Sequence, residues 1–149
     1  MSPDDLAPLS AQETASRSAA AMQAGDAASR LLGMELVETG PGFARMRMRV
    51  RPDMLNGVGT AHGGFIFALA DSTFAFACNS YNARTVAQHC AVTFHAPGRE
   101  GDTLTAEARE VQRAGRSGLY DIAVTNAEGT LIASFRGHSR TIKGSHFEA

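Results

Sequence analysis

The stretch FIFALADSTFAFAC, residues 65 to 78, constrains this chain more than any other. Its apolar residues do not keep to one stripe. They run round nearly the whole circumference of a helix, and such a helix has to be covered on nearly every side. A bilayer is not the cover, because a membrane span needs about 20 apolar residues. This run is shorter and is broken by Asp71, Ser72 and Thr73. The helix is therefore expected inside a globular protein, from about His62 to Asn79 or Ser80. One sheet shields only part of it. A second copy of the chain is the simplest cover for the rest.

The flanking sequence supplies the sheet. MELVE (34–38) and FARMRMRV (43–50) are joined by the turn TGPG. In the second of these Ala44, Met46, Met48 and Val50 share one face, and Arg45, Arg47 and Arg49 the other. The arginine face reads as a solvated or partner-facing sheet surface in preference to a phosphate site. Four further strands are predicted over 84–95, 103–112, 117–126 and 130–141, with APGREGD and NAEG as turns. Ahead of the sheet, Ser10 and Glu13 form a capping box that opens an alanine-rich helix to about Ala24. A short turn follows from Asp26 to Gly33. The order predicts an α+β fold, an antiparallel sheet of about six strands with one long helix on its apolar face and an extra N-terminal helix. At 149 residues the chain is read as one domain, with a helical segment 1–32, a core 33–142 and a tail 143–149.

A net charge of −1 offers no basic field, which argues against nucleic acid as a partner. The opening MSPDDLAPLS is acidic and lacks the apolar centre of a secretory signal. Cys78 and Cys90 form no CxxC pair and read as reduced thiols, so a cytoplasmic location without membrane attachment is expected.

The start of the long helix carries the first chemical signal. Leading N–H groups of a helix lack partners, and the macrodipole places partial positive charge there. Gly63 and Gly64, after His62, leave those groups unshielded. Such a terminus can serve as an oxyanion site or as an ordinary tight helix entry. Asp71 is the second signal, because a buried carboxylate is costly unless it is hydrogen-bonded or paired. It lies about 12 Å along the helix from Gly63 at ~1.5 Å per residue. The two cannot easily reach one small group within a chain, but antiparallel helices of a two-fold dimer can bring Asp71 of one copy to Gly63 of the other. Asn56, in the loop before the helix, can donate and accept, or can simply serve the turn NGVG. Together these residues form N-x5-H-G-G-x6-D.

MLNGVGTAHGGFIFALADSTFAFACNS resembles the PaaI group of hotdog-fold acyl-CoA thioesterases, and the likeness continues through AVTFHAPGREGDTLTAEA, GLYDIAVTN and ASFRGHSRTI. It covers roughly residues 30 to 142. The resemblance implies a long helix wrapped by an antiparallel sheet, and paired hotdogs that commonly associate into tetramers. It implies hydrolysis of phenylacetyl-CoA, or a ring-hydroxylated relative, to free acid and CoA. Asp71 then matches the nucleophile or general base, Gly63 the oxyanion donor, and His62 and Asn56 the residues that orient thioester and attacking group. Where some relatives carry Ser or Thr near position 87, this chain has Ala87.

The parts suit that chemistry. One good oxyanion donor is worth ~10²–10³ in rate, and partial burial makes a carboxylate a better base. No metal or cofactor is expected, since His89 and His95 alone make a poor metal site. GVGTAHG lacks the βαβ setting of a dinucleotide loop, and GRSG is not a nucleophile elbow. The acyl pocket is expected to draw on Met54, Leu55, Phe74 and Gly64. The CoA phosphates are expected near Arg113, Arg116 and Ser117, with Arg140 and Lys143 as other candidates. Two alternatives remain, a hotdog enoyl-CoA hydratase or dehydratase and a non-catalytic acyl-CoA binding protein.

Overall fold

The computed structural model describes residues 7–149, so most of the opening MSPDDLAPLS lies outside the described residues. Helix α1 (Ala11–Ala24) begins at the expected capping box, with Ser10 Oγ accepting from Glu13 N–H and the Glu13 carboxylate accepting from Ser10 N–H. Asp26 caps the short α2 (Ala27–Leu31) through the Ser29 N–H. Then come β1 (Glu35–Gly40), β2 (Phe43–Arg49), α3 (Gly63–Cys78), β3 (Thr85–Phe94), β4 (Thr103–Ala114), β5 (Ser117–Thr125) and β6 (Leu131–Thr141). All predicted elements are present, with ends shifted by a residue or two.

The strands form one antiparallel sheet in the order β1-β2-β4-β5-β6-β3. Its apolar face wraps α3. Met46 and Met48 of β2, Leu104 and Ala106 of β4, Ile122 and Val124 of β5 and Phe135 of β6 are buried with Leu69 and Phe74 of α3. The alternation predicted for β2 holds, with Ala44, Met46 and Met48 inside. The arginine face carries ion pairs instead of a phosphate site. Arg45 bridges Glu38 and Glu107, and Arg47 reaches Glu35.

At one end of α3, Glu110 on β4 ties helix to sheet. Its Oε1 accepts from Tyr81 Oη at 2.9 Å and from Tyr120 Oη at 3.0 Å. Tyr120 is only 1% exposed. Glu110→Ala orphans that buried hydroxyl and is expected to cost about 1–3 kcal/mol. Urea unfolding checks it. Adding Tyr120→Phe in the same background should recover part of the loss, because it removes the orphan as well.

The two sheet edges differ. α1 packs on β1, where the Gln12 amide donates to the Thr39 carbonyl. The other edge is β3, ten residues without Lys, Arg, Asp or Glu and with Val86 and Phe94 exposed. Charged residues and prolines are what normally guard an edge against pairing, and β3 has neither. No helix among the described residues is long and apolar enough to cross a membrane.

Candidate active site

α3 begins where side chains are stripped away. His62 is its N-cap in extended conformation (φ −61, ψ 131), and its ring Nδ1 accepts from the Gly64 N–H at 2.9 Å. An accepting Nδ1 leaves Nε2 as the ring nitrogen that carries the proton, and His62 is exposed. A Cβ on Gly64 would lie 3.0 Å from that Nδ1 and would crowd the ring cap. The Gly64 donor is thus taken up within the chain. Gly63 is different. Among the described residues no hydrogen bond uses its N–H, and that group sits at the positive end of the helix. A Cβ on Gly63 would come 3.0 Å from the ring of Phe94.

Asn56 is engaged locally. Its Oδ1 accepts from the Val58 and Thr60 N–H groups at 3.1 Å each, and its Nδ2 donates to Thr60 Oγ1 at 3.0 Å. This is the turn role left open by the sequence, and it leaves one amide hydrogen free. Asn56 and Gly63 line one cavity of about 400 Å³, with Thr60, Phe94, His95 and Pro97 around them.

Asp71 faces a second cavity, of about 500 Å³, beside Phe74, Ala75, Cys78, Val86 and Ala87. The two cavities share no lining residue. The Asp71 carboxyl is half-buried, and burial pushes its pKa above the ordinary aspartate value, with no charge or hydrogen-bond partner among the described residues to offset it. Cys78 beside it is no rival nucleophile, because burial pushes its thiol up to about 12. Along α3 the side chains left partly open are Phe65, Phe67, Ala68, Asp71, Ser72 and Ala75, and the last four lie close to one line down the helix. Gly64 adds an exposed backbone position at its start.

Other expected contacts fall elsewhere in the protomer. Met54 is 1% exposed, in the core, and neither it nor Leu55 lines either of these cavities. Arg113 stacks over the Tyr81 ring at 3.3 Å and lies 3.7 Å from Glu110. Arg116 and Ser117 are exposed on the turn around Gly115, outside both cavities. His89 packs against His138, while His95 bonds Ser134 beyond the strand end, so the two histidines are not a pair. Among the described residues no three His, Cys, Asp or Glu side chains are gathered as metal ligands. The sequence reading missed Met22, Arg84, Ile142 and His146 on the Asp71 cavity. None has a periodic signal, since each reaches the cavity from the edge of an element or from a turn.

The thioesterase superfamily model matches residues 58–133, from the glycine-rich loop to β6. The chain belongs to the thioesterase superfamily. It is an enzyme of thioester hydrolysis, and its fold is the hotdog, as the resemblance implied. The Escherichia coli acyl-coenzyme A thioesterase PaaI is 42% identical over 129 residues, 87% of this chain and 92% of that protein. The solved structure of the E. coli PaaI protein from the phenylacetic acid degradation operon matches with a TM-score of 0.90 at 41% identity, covering 91% of this chain and 99% of that one. A Streptococcus mutans protein solved with acetyl-CoA bound matches at 26% identity with a TM-score of 0.72, covering 75% and 90%. Gly63 and Asp71 both lie within the segment matched to the thioesterase family, and Asn56 just precedes it.

Proposed function

We propose that this thioesterase hydrolyses phenylacetyl-CoA, or a ring-hydroxylated relative, to the free acid and CoA, at sites shared between two copies of the chain. The observation that carries the reading is the unpartnered, half-buried Asp71 carboxylate facing a cavity, with the free Gly63 N–H in a different cavity. Neither feature is useful alone. A two-fold pairing of antiparallel α3 helices puts them on opposite sides of one thioester and also covers the open line of Ala68, Asp71 and Ala75. The unguarded edge β3 supports the same pairing, since strand-to-strand addition of a second β3 would satisfy its backbone. Association of such dimers into a tetramer belongs to the same reading.

In this mechanism the thioester carbonyl oxygen takes the Gly63 N–H, with His62 Nε2–H beside it. Charge developing on that oxygen is stabilised by a donor that needs no reorganisation. Asp71 acts in one of two ways. It takes a proton from the attacking water, so that collapse of the tetrahedral adduct expels the CoA sulfur, which takes up the proton, and leaves the acid. Or it attacks the carbonyl carbon itself, expels the CoA sulfur, and forms an acyl-aspartyl anhydride that water then hydrolyses to the acid and free Asp71. Asn56, held by its own loop, orients the attacking group through its remaining amide hydrogen. Phe74 provides apolar surface for the acyl part, and the turn bearing Arg116 and Ser117 is where the CoA phosphates would rest. The relative's place in a phenylacetic acid degradation operon supports the aryl-acetyl choice. A role in phenylacetate breakdown in the cytoplasm belongs to the same reading.

The groups named complete the reaction without a metal. The purified protein should therefore release CoA from phenylacetyl-CoA at an undiminished rate in the presence of chelator. Thiol detection measures it, and turnover that stops on chelation and returns with added metal would contradict it. The same assay separates hydrolysis from hydration, which frees no thiol, and from simple binding.

A further inference from the structure

Part of the wall of the Asp71 cavity comes from outside the segment matched to the thioesterase family. Met22 of α1 contributes, and so do Ile142 and His146 beyond β6. The chain after β6 is not left loose. Asn82, in the left-handed region at φ 56, accepts on Oδ1 from the His146 N–H at 3.0 Å and the Phe147 N–H at 3.1 Å, and its Nδ2 donates to the Phe147 carbonyl at 3.0 Å. The Arg84 N–H donates to the Gly144 carbonyl at 3.0 Å, and its Nε to the Ser145 carbonyl at 3.1 Å. The Arg17 guanidinium of α1 lies over the Phe147 ring at 4.3 Å.

The fastening reaches the helix that carries Asp71. His146 Nε2 lies 2.7 Å from Asn79 Oδ1, at the C-cap of α3. The Asn79 amide is oriented by its other bonds, since Nδ2 donates to the Ala75 and Thr85 carbonyls while Oδ1 accepts from the Thr85 N–H. Its oxygen can only accept, so His146 donates. Half-burial of a side chain that makes so directed a bond is a packing role with a defined geometry. The space it bounds is apolar on the sides given by Met22, Phe74, Ala75, Val86 and Ile142. Such a space suits an uncharged aryl or short alkyl group, and its volume of about 500 Å³ is that of an ordinary ligand cleft.

We propose that the clasped segment 144–147 closes one end of the Asp71 cavity and sets the largest acyl group the enzyme accepts, with His146 and Asn82 as positioning residues. This rests on the thioesterase reading above. A compact acyl group such as phenylacetyl fits beneath the clasp, and a long straight chain meets the His146 wall. Releasing the clasp should open that end while Asp71 and Gly63 stay as they are.

The test compares wild type with Asn82→Gly, His146→Ala and His146→Gln in the full chain. Glycine tolerates the left-handed backbone at position 82, so Asn82→Gly removes the three clasp bonds made by Asn82 without adding strain. Each variant is assayed with phenylacetyl-CoA and decanoyl-CoA. Asn82→Gly and His146→Ala should raise the decanoyl-to-phenylacetyl ratio of kcat/KM at least about tenfold, through KM rather than kcat. His146→Gln keeps a donor near the same position and should hold the wild-type ratio. Folded Asn82→Gly and His146→Ala proteins with an unchanged ratio overturn the proposal. Binding of the corresponding non-hydrolysable thioether analogues is measured alongside. If wild type cleaves neither thioester, the function reading fails, and the binding data decide the clasp separately. Tighter binding of the long analogue to the released variants supports it. Equal binding, or none by any variant, overturns it.

Discussion

Asp71→Asn is expected to lower kcat on phenylacetyl-CoA at least about 10²-fold, the usual scale for losing acid–base help, while making the protein harder to melt. KM should change little, because the amide keeps the shape of the carboxylate and the loss falls on the transition state. The two effects have one cause. Burial holds the Asp71 carboxyl above its ordinary pKa, with nothing among the described residues to offset it. A carboxyl with a raised folded pKa binds more protons folded than unfolded. Its burial therefore costs nothing below the unfolded value, and the cost grows as pH rises through the folded one. At neutral pH the asparagine variant escapes that cost and its Tm should exceed that of wild type. The gap should close as the pH falls below the ordinary aspartate range. The activity of wild type should fall on the acid side with an apparent pKa above the ordinary aspartate value, because the group must be ionised to act. An Asn variant with near-normal kcat would remove Asp71 from the chemistry.

Gly63→Pro is the second large effect, expected to lower kcat ~10²–10³-fold, the range for deleting one oxyanion donor. The backbone is ready for this change. Position 63 is the first residue of α3, where proline is favoured, and His62 already has the extended ψ of 131 that a residue before proline adopts. The N–H removed has no partner among the described residues, so no internal bond is lost. The nearest obstacle is the far end of the Phe94 side chain, which is 49% exposed and free to shift. Circular dichroism and melting should therefore match wild type closely while turnover collapses. A folded Gly63→Pro enzyme with full activity would place the oxyanion elsewhere.

The fold was legible because each element carried its own period. Ala44, Met46 and Met48 marked the inner face of β2, and the capping box at Ser10 and Glu13 marked the start of α1. The apolar circumference of α3 announced that more than one layer must cover it. The site was legible in part. Asp71 stood out as a charge in an apolar run, and the pair Gly63–Gly64 as missing side chains. Their different duties were not legible. The use of the Gly64 N–H by the His62 ring depends on a rotamer, and no spacing encodes it. Met54 has the composition of a pocket residue but lies in the core, because the short 3₁₀ turn Pro52–Met54 directs it inward. Arg84 and His146 were unreadable for a simpler reason. They meet at the Asp71 cavity from the start of one strand and from the tail beyond another, and only tertiary structure joins those places.

That Asp71 and Gly63 of different chains form one site is tested most directly by mixing two dead enzymes. Asp71→Asn and Gly63→Pro are unfolded and refolded together in equal amounts. Identical interfaces pair at random, so about half the dimers are mixed. In a mixed dimer one site carries both lesions and the other carries neither. The shared-site arrangement predicts recovery to about a quarter of wild-type activity, one live site in two across about half the dimers. A refolded mixture with demonstrated heterodimers and no turnover above the separate variants would contradict it, and would return both residues to a site within one chain.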